Sequence, residues 1–225
     1  KKKKKQKIII GKDTRSSCYM IESALNAGFL SMGLDCLVLG SIPTPVVSFM
    51  TKFLKADAGI MISASHNPYF DNGIKVFLKN GEKLTDKQEL AIEKILANNN
   101  KPKFCSPKNI GRITRYESNF HEYINNVKKV ILKKENFKNL KMVLDCSNGA
   151  TYKIAPSLFL DLGIELIPLS VSPNGENINK NCGSLSPNIL AKKVVASNAN
   201  LGVSFDGDGD RLVMCDEKGN IIDGD

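Results

Sequence analysis

The chain has 225 residues, 42% of them hydrophobic, and a formal net charge of +9, which is long enough for one large domain or two modest ones around a soluble core. The basic excess raises nucleic acid as a partner. The lysines, however, are spread over helices and loops without interleaved aromatics or a recognisable DNA- or RNA-binding module, so that class is set aside, and an anionic small molecule would profit from the same field. No apolar run approaches the ~20 residues of a membrane span, and no signal peptide precedes the first strand.

In chain order, Lys1 to Lys5 reads as a disordered or truncated edge rather than a targeting signal. The strand Lys7-Ile8-Ile9-Ile10 then runs into Gly11-Lys12-Asp13-Thr14-Arg15-Ser16-Ser17, where Asp13 or Thr14 suits an N-cap and Arg15 an ordinary first-turn position. A helix through Met20-Ile21, Ala24-Leu25 and Phe29 stops at Gly33. Cys36 to Leu39 reads as a strand, and Pro45 opens a short helix to Leu54. The apolar strand Gly59-Ile60-Met61-Ile62 enters the polar loop Ser63-Ala64-Ser65-His66-Asn67-Pro68. Such a βαβαβ run implies parallel strands with right-handed crossovers, which brings the loops around Arg15 and Ser65 to the same sheet edge. Asp71-Asn72-Gly73 is a tight-turn signal, so the chain reverses and Lys75 leaves on a new strand that can point back toward the serine.

Thr85 and Gln88 form a capping box for a helix to Leu96, and residues 98–103 form a loop. The lysine-laden run 115–136 reads as a connecting helix. Strand and helix then alternate again from Lys141-Met142-Val143-Leu144, ending in strands around Val213 and Ile221-Ile222. This implies two α/β domains, at 1–127 and 141–225, joined by 128–140, with a site in the cleft between them. Six cysteines stand singly at 18, 36, 105, 146, 182 and 215, with no Cys-x-x-Cys pair or zinc spacing, as in the reduced thiols of a cytoplasmic protein.

The buried strand Leu201-Gly202-Val203-Ser204-Phe205 leads into Asp206-Gly207-Asp208-Gly209-Asp210-Arg211, at the strand end where α/β sheets place their ligands. Three carboxylates about 5 Å apart repel by roughly 3 kcal/mol per pair at an effective dielectric near 20, which calls for a divalent cation. An EF-hand would want Glu217 at its twelfth position but glycine at the sixth, where Arg211 stands. A phosphatase with Asp206 as an aspartyl nucleophile and Mg²⁺ is a second reading, and an acidic surface turn a third. Ser65-His66 as a hydrolase pair is weak, because neighbouring side chains seldom face each other and no Gly-x-Ser-x-Gly elbow is present.

Taken together, the Ser63–Pro68 loop with Asp71-Asn72-Gly73-Ile74-Lys75 and the loop Asp206–Arg211 resemble the phosphoserine and metal loops of the α-D-phosphohexomutases. The segments Gly11–Arg15, Asp145–Tyr152, Asn174–Asn179 and Cys182–Ser184 are similar to the branch that acts on glucosamine phosphates. The resemblance implies an α/β fold of two consecutive domains with mixed, mainly parallel sheets, the first two domains of the family truncated at both ends. Two further domains would follow Asp225, and this fragment alone would lack mutase activity. It implies Ser65 as the phosphorylated residue, with Asp206, Asp208 and Asp210 holding one Mg²⁺ together with a phosphoserine oxygen. Arg211 would face the phosphoryl group, and Lys75 and Arg15 would be the acid/base candidates. Arginine is a poor base, so Lys75 ranks first and Arg15 serves phosphate charge, with His66 and Asn67 as supporting residues. The substrate implied is a small sugar phosphate, with glucosamine 1,6-bisphosphate as intermediate or activator.

Overall fold

The computed structural model describes residues 5–98, 102–116, 121–131 and 137–222. Lys1 to Lys4, residues 99–101 of the expected loop and residues 132–136 of the expected connecting segment lie outside them. Strand β1 (Lys7–Lys12), helix α1 (Ser17–Ser31), β2 (Asp35–Ser41), α2 (Thr44–Phe53), β3 (Ala58–Ile62) and β4 (Ile74–Leu78) follow in turn. Helix α1 ends at Gly33, whose left-handed backbone (φ 84°) lets its N–H return to the Leu30 carbonyl at 2.9 Å. Helix α3 (Asp86–Ala97) is capped as the sequence predicts, since Gln88 Oε1 accepts from both the backbone N–H and the hydroxyl of Thr85 at 2.9 Å.

Strand β1 lies parallel to β2 and β3, while β4 returns antiparallel to β3 with Met61 opposite Lys75. One edge departs from expectation. Arg115 does not begin a helix: Ile113–Arg115 form β5, parallel to β2 and paired with Cys36–Val38, and helix α4 (His121–Ile131) starts later. The first sheet therefore runs β4-β3-β1-β2-β5. Polar composition hid this strand, because an edge strand needs only backbone pairing with its neighbour. The approach is close, for a Cβ added at Gly111 would lie 1.8 Å from the Leu34 carbonyl oxygen.

The second half repeats the plan with β6 (Lys141–Asp145), α5 (Ile154–Asp161), β7 (Glu165–Leu169), α6 (Pro187–Ser197), β8 (Leu201–Phe205), β9 (Leu212–Asp216) and β10 (Ile221–Ile222). Its sheet runs β10-β9-β8-β6-β7, with β6 parallel to both neighbours and β8 antiparallel to β9. Strand alternation fills both faces of each sheet. Ile8, Ile10, Ile60 and Ile62 pack with Cys18 and Leu25 of α1, while Ile9, Leu37 and Met61 pack with Val47 and Met50 of α2. Likewise Met142 and Leu144 meet Ala155 of α5, and Val143 meets Leu190 and Val194 of α6. The halves also share packing, since Ala150 and Ile154 join the cluster beneath α2. Among the described residues no helix is long and apolar enough to cross a membrane.

Burial assigns different weights to apolar residues. Ile9 is fully buried whereas Leu96 on α3 is 73% exposed. Ile9→Ala is expected to lower the unfolding free energy by about 2–5 kcal/mol, and Leu96→Ala to change it by no more than about 0.5 kcal/mol, both read from urea denaturation.

All six cysteines are free. Burial pushes the thiols of Cys18 and Cys146 up to about 12 and those of Cys36 and Cys182 up to about 11, in each case aided by a neighbouring aspartate. Cys105 is the one cysteine that is not buried. A thiol reagent at mildly alkaline pH is expected to label Cys105 rapidly in the native protein and the others only on unfolding, as peptide mapping would show.

Candidate active site

The loop after β3 is built from beneath by a buried carboxylate. Asp13, at the carboxyl end of β1, accepts the backbone N–H of Arg15 at 2.9 Å, Arg15 Nε at 2.9 Å and the Ser63 hydroxyl at 2.6 Å. Ser63 Oγ in turn accepts the N–H of Ser65 at 2.9 Å. Ser65 takes a left-handed backbone (φ 52°), an uncommon conformation for a residue with a Cβ, so its neighbours must impose it.

Arg15 is one of those neighbours, which corrects the expectation that it faces phosphate or exchanges protons. It is fully buried, paired with Asp13, and its guanidinium donates to the carbonyl oxygens of Pro68, Ser65 and Asn67. Four of its five N–H donors are thus engaged within the loop and its base. The planar fork makes Arg15 a template for the loop backbone rather than a charge offered to a ligand.

The acidic loop after β8 closes on this template from the second half. Ser65 Oγ donates to Asp206 Oδ2 at 2.5 Å, while Asp206 Oδ1 accepts the N–H groups of Gly209 at 3.0 Å and Arg211 at 3.2 Å. Gly209 needs its positive φ of 70° for this fold of the loop. At Gly207 a Cβ would lie 2.5 Å from the Ser65 carbonyl oxygen, so glycine there permits the two loops to touch. Lys75 Nζ donates to Asp208 Oδ2 and, at 2.8 Å, to Asp210 Oδ2. Thr44, opening α2, adds its hydroxyl to Asp208 Oδ2 and its N–H to the Asp208 carbonyl at 2.9 Å. His66 Nδ1 lies 2.9 Å from Arg211 Nη1, and Asn67 Nδ2 donates to Asp71 at 3.0 Å.

Electrostatics separates the three acids. Burial, followed by the charges of Asp208 and Asp210, raises the Asp206 carboxyl above its ordinary value against the hydrogen bonds from Ser65 and Arg211. Burial pushes Asp208 the same way, but hydrogen bonds from Lys75 and Thr44 and the charge of Lys75 outweigh it and hold Asp208 below. Lys75 is raised, because its bonds to Asp208 and Asp210 outweigh desolvation.

Carboxylate oxygens of Asp206, Asp208 and Asp210 lie within 4.8 Å of one another. Asp208 Oδ1 is buried with no hydrogen-bond partner, a costly state that a cation would relieve. The donor set is all oxygen and compact, which suits Mg²⁺. The structure thus brings together Ser65, Lys75 and the three aspartates, with His66 and Arg211 at the rim. Thr44 and the supports Asp13 and Ser63 were not anticipated from sequence. Their signals are weak: Thr44 looks like a helix opener between two prolines, and Asp13 like a cap.

Two family models cover most of the chain: "Phosphoglucomutase/phosphomannomutase, alpha/beta/alpha domain I" matches residues 1–103, and domain II of the same family matches residues 121–219. The chain is 50% identical over 218 residues to the phosphoglucosamine mutase of Maricaulis maris, covering 97% of this chain and 49% of that protein. It is 48% identical over 221 residues to that of Granulibacter bethesdensis, covering 98% and 48%. The chain spans about half the length of these curated relatives. A phosphoglucomutase/phosphomannomutase family protein from Burkholderia thailandensis superposes with a TM-score of 0.78 at 27% identity, over 96% of this chain and 48% of that one. A putative phosphomannomutase from Thermus thermophilus gives 0.79 at 22% identity over 96% and 50%, a likeness of fold.

Because Asp208 Oδ1 stands unpartnered among three acids, Mg²⁺ is expected to raise the melting temperature by linkage, by about 2.7 kcal/mol of stabilisation at a hundred times its Kd. Asp208→Asn should remove most of that gain. An unchanged wild-type melting curve across millimolar Mg²⁺ would count against a metal loop.

Proposed function

The chain belongs to the phosphoglucomutase/phosphomannomutase family, and we propose that its protein interconverts glucosamine 6-phosphate and glucosamine 1-phosphate through a phosphorylated Ser65. The observation that carries this reading is the meeting of the two loops, with the Ser65 hydroxyl on Asp206 at 2.5 Å and Lys75 on Asp208 and Asp210. Relatives at about half identity support the amino-sugar substrate, since they are phosphoglucosamine mutases.

In this reading phosphorylated Ser65 gives its phosphoryl group to the free hydroxyl of the sugar phosphate. The Oγ–P bond breaks as the new O–P bond forms, yielding glucosamine 1,6-bisphosphate, whose other phosphoryl group then returns to Ser65 after the sugar has turned over. Lys75 gives a proton to the departing Ser65 Oγ and takes one from the attacking hydroxyl, so protons balance over the step. Asp206, Asp208 and Asp210 would hold Mg²⁺, which when bound supplies charge neutralisation for the transferring group. Arg211, exposed beside His66, is the side chain we assign to the phosphoryl oxygens. The rival phosphatase reading finds less support: Asp206 is fully buried and its two oxygens already accept from Ser65, Gly209 and Arg211, which leaves it poorly placed to attack.

Incubation with glucosamine 1,6-bisphosphate followed by peptide mapping is expected to place one phosphoryl group on Ser65. Ser65→Ala, in a protein carrying this chain within the full length of its relatives, should abolish bisphosphate-primed turnover with the fold intact, because a missing phosphoryl carrier is not replaced by better positioning. Phosphate on Asp206 instead, or near wild-type turnover by Ser65→Ala, would overturn the assignment.

A further inference from the structure

The second half of the chain reaches Ser65 by a route separate from the acidic loop. Asn179, between β7 and α6, takes a left-handed backbone (φ 59°), and its side-chain amide donates to the carbonyl of Ser65 at 2.9 Å and to that of Asn67 at 3.1 Å. These are the same two carbonyls that Arg15 Nη2 serves at 2.9 Å each. A carbonyl oxygen carries two lone pairs, so each is held on one side by a group of the first half and on the other by a group of the second.

The amide is itself anchored. The Asn179 N–H donates to the Ser147 carbonyl at 2.9 Å, and the Ser147 N–H donates to Asp145 Oδ1 at the end of β6, also at 2.9 Å. Space for it depends on Gly207, where a Cβ would lie 2.8 Å from Asn179 Nδ2. A turn asparagine often adopts left-handed φ for local reasons. Asn181 does so nearby (φ 52°) with no side-chain hydrogen bond to its credit among the described residues, so the conformation alone does not require the reach that Asn179 makes.

We propose that Asn179 is a positioning residue for phosphoryl transfer: its amide, delivered from the second half, holds the left-handed backbone of Ser65 so that Oγ stays aligned with Asp206. The backbone N–H of Ser65 is already fixed by Ser63 Oγ, and Asn179 completes the restraint at the carbonyl. Alignment of the carrier thereby depends on the loop that precedes α6. The inference rests on Ser65 being the phosphoryl carrier.

The test uses three variants of a protein carrying this chain within the full length of its relatives, beside Ser65→Ala. Asn179→Gly removes the amide and keeps a left-handed backbone accessible, Asn179→Asp keeps the shape but sets an acceptor against two carbonyls, and Asn181→Gly controls for the turn. Misalignment of a reacting group by about 1 Å costs up to about 100-fold. Asn179→Gly is therefore expected to lower kcat by about 10- to 100-fold with KM within about twofold, as for an interaction that acts on the transition state alone. Asn179→Asp should fall further, single-turnover phosphorylation of Ser65 should slow in step, the Mg²⁺-dependent rise in Tm should persist, and Asn181→Gly should behave as wild type. Wild-type kcat in both Asn179 variants would overturn the proposal. So would an equal loss in Asn181→Gly, or a loss accompanied by disappearance of the Mg²⁺ response, since either marks a structural role. Activity retained by Ser65→Ala would sink the carrier reading, and this inference with it, independently of the Asn179 results.

Discussion

Three carboxylates kept within 4.8 Å of one another are the constraint on which this site depends. Left to itself such a loop would open, at roughly 3 kcal/mol of repulsion per pair for an effective dielectric near 20. Its closure relies on groups brought from elsewhere: the Lys75 ammonium from β4, the Thr44 hydroxyl from α2 and the Ser65 hydroxyl from the loop after β3. All three come from the first half of the chain, and all three acids from the second. The repulsion that threatens the loop is thus turned into cohesion between the halves.

The two halves solve the same local problem alike. In each, an aspartate at the carboxyl end of the first strand, Asp13 just after β1 or Asp145 closing β6, is buried and accepts a backbone N–H two residues on. Each also fastens a distant segment, Asp13 through Ser63 and Asp145 through the N–H of Gly183 at 2.8 Å. A carboxylate suits this position because it accepts several hydrogen bonds at once and bonds to a charged acceptor are the stronger kind. The functional loops follow the strand next to it, β3 in one sheet and β8 in the other, and face each other across the contact.

Arg15 shows how burial redirects a side chain. As a free cation it could serve an anionic ligand, but with Asp13 beneath it and carbonyl oxygens around it the guanidinium becomes internal scaffolding. A buried ion pair adds little net stability over an apolar pair of similar size, because desolvation offsets the attraction. Its value here is geometric, since the fork dictates where the Ser65 and Asn67 carbonyls point. Arg211, by contrast, stays exposed at the rim beside His66.

The sequence by itself determined the elements whose signals are local. Alternating apolar strands, Gly33 ending α1, the Thr85–Gln88 cap, the Asp71–Gly73 reversal and the three glycine-spaced acids after β8 each follow from the preferences of a few adjacent residues. Ser65, Lys75 and the three aspartates stand out for the same reason, because their loops carry compact patterns, and the structure brings these side chains together. Tertiary structure alone decided β5, whose three residues are a strand only because β2 offers an unpaired edge. It decided that Arg15 is enclosed, that Thr44 holds Asp208, and that Asn179 reaches across to Ser65. Those contacts join residues up to 164 positions apart in the chain; their donors are common polar types with no distinguishing neighbours, and only the packing of two sheets against each other specifies which carbonyl or carboxylate each one meets.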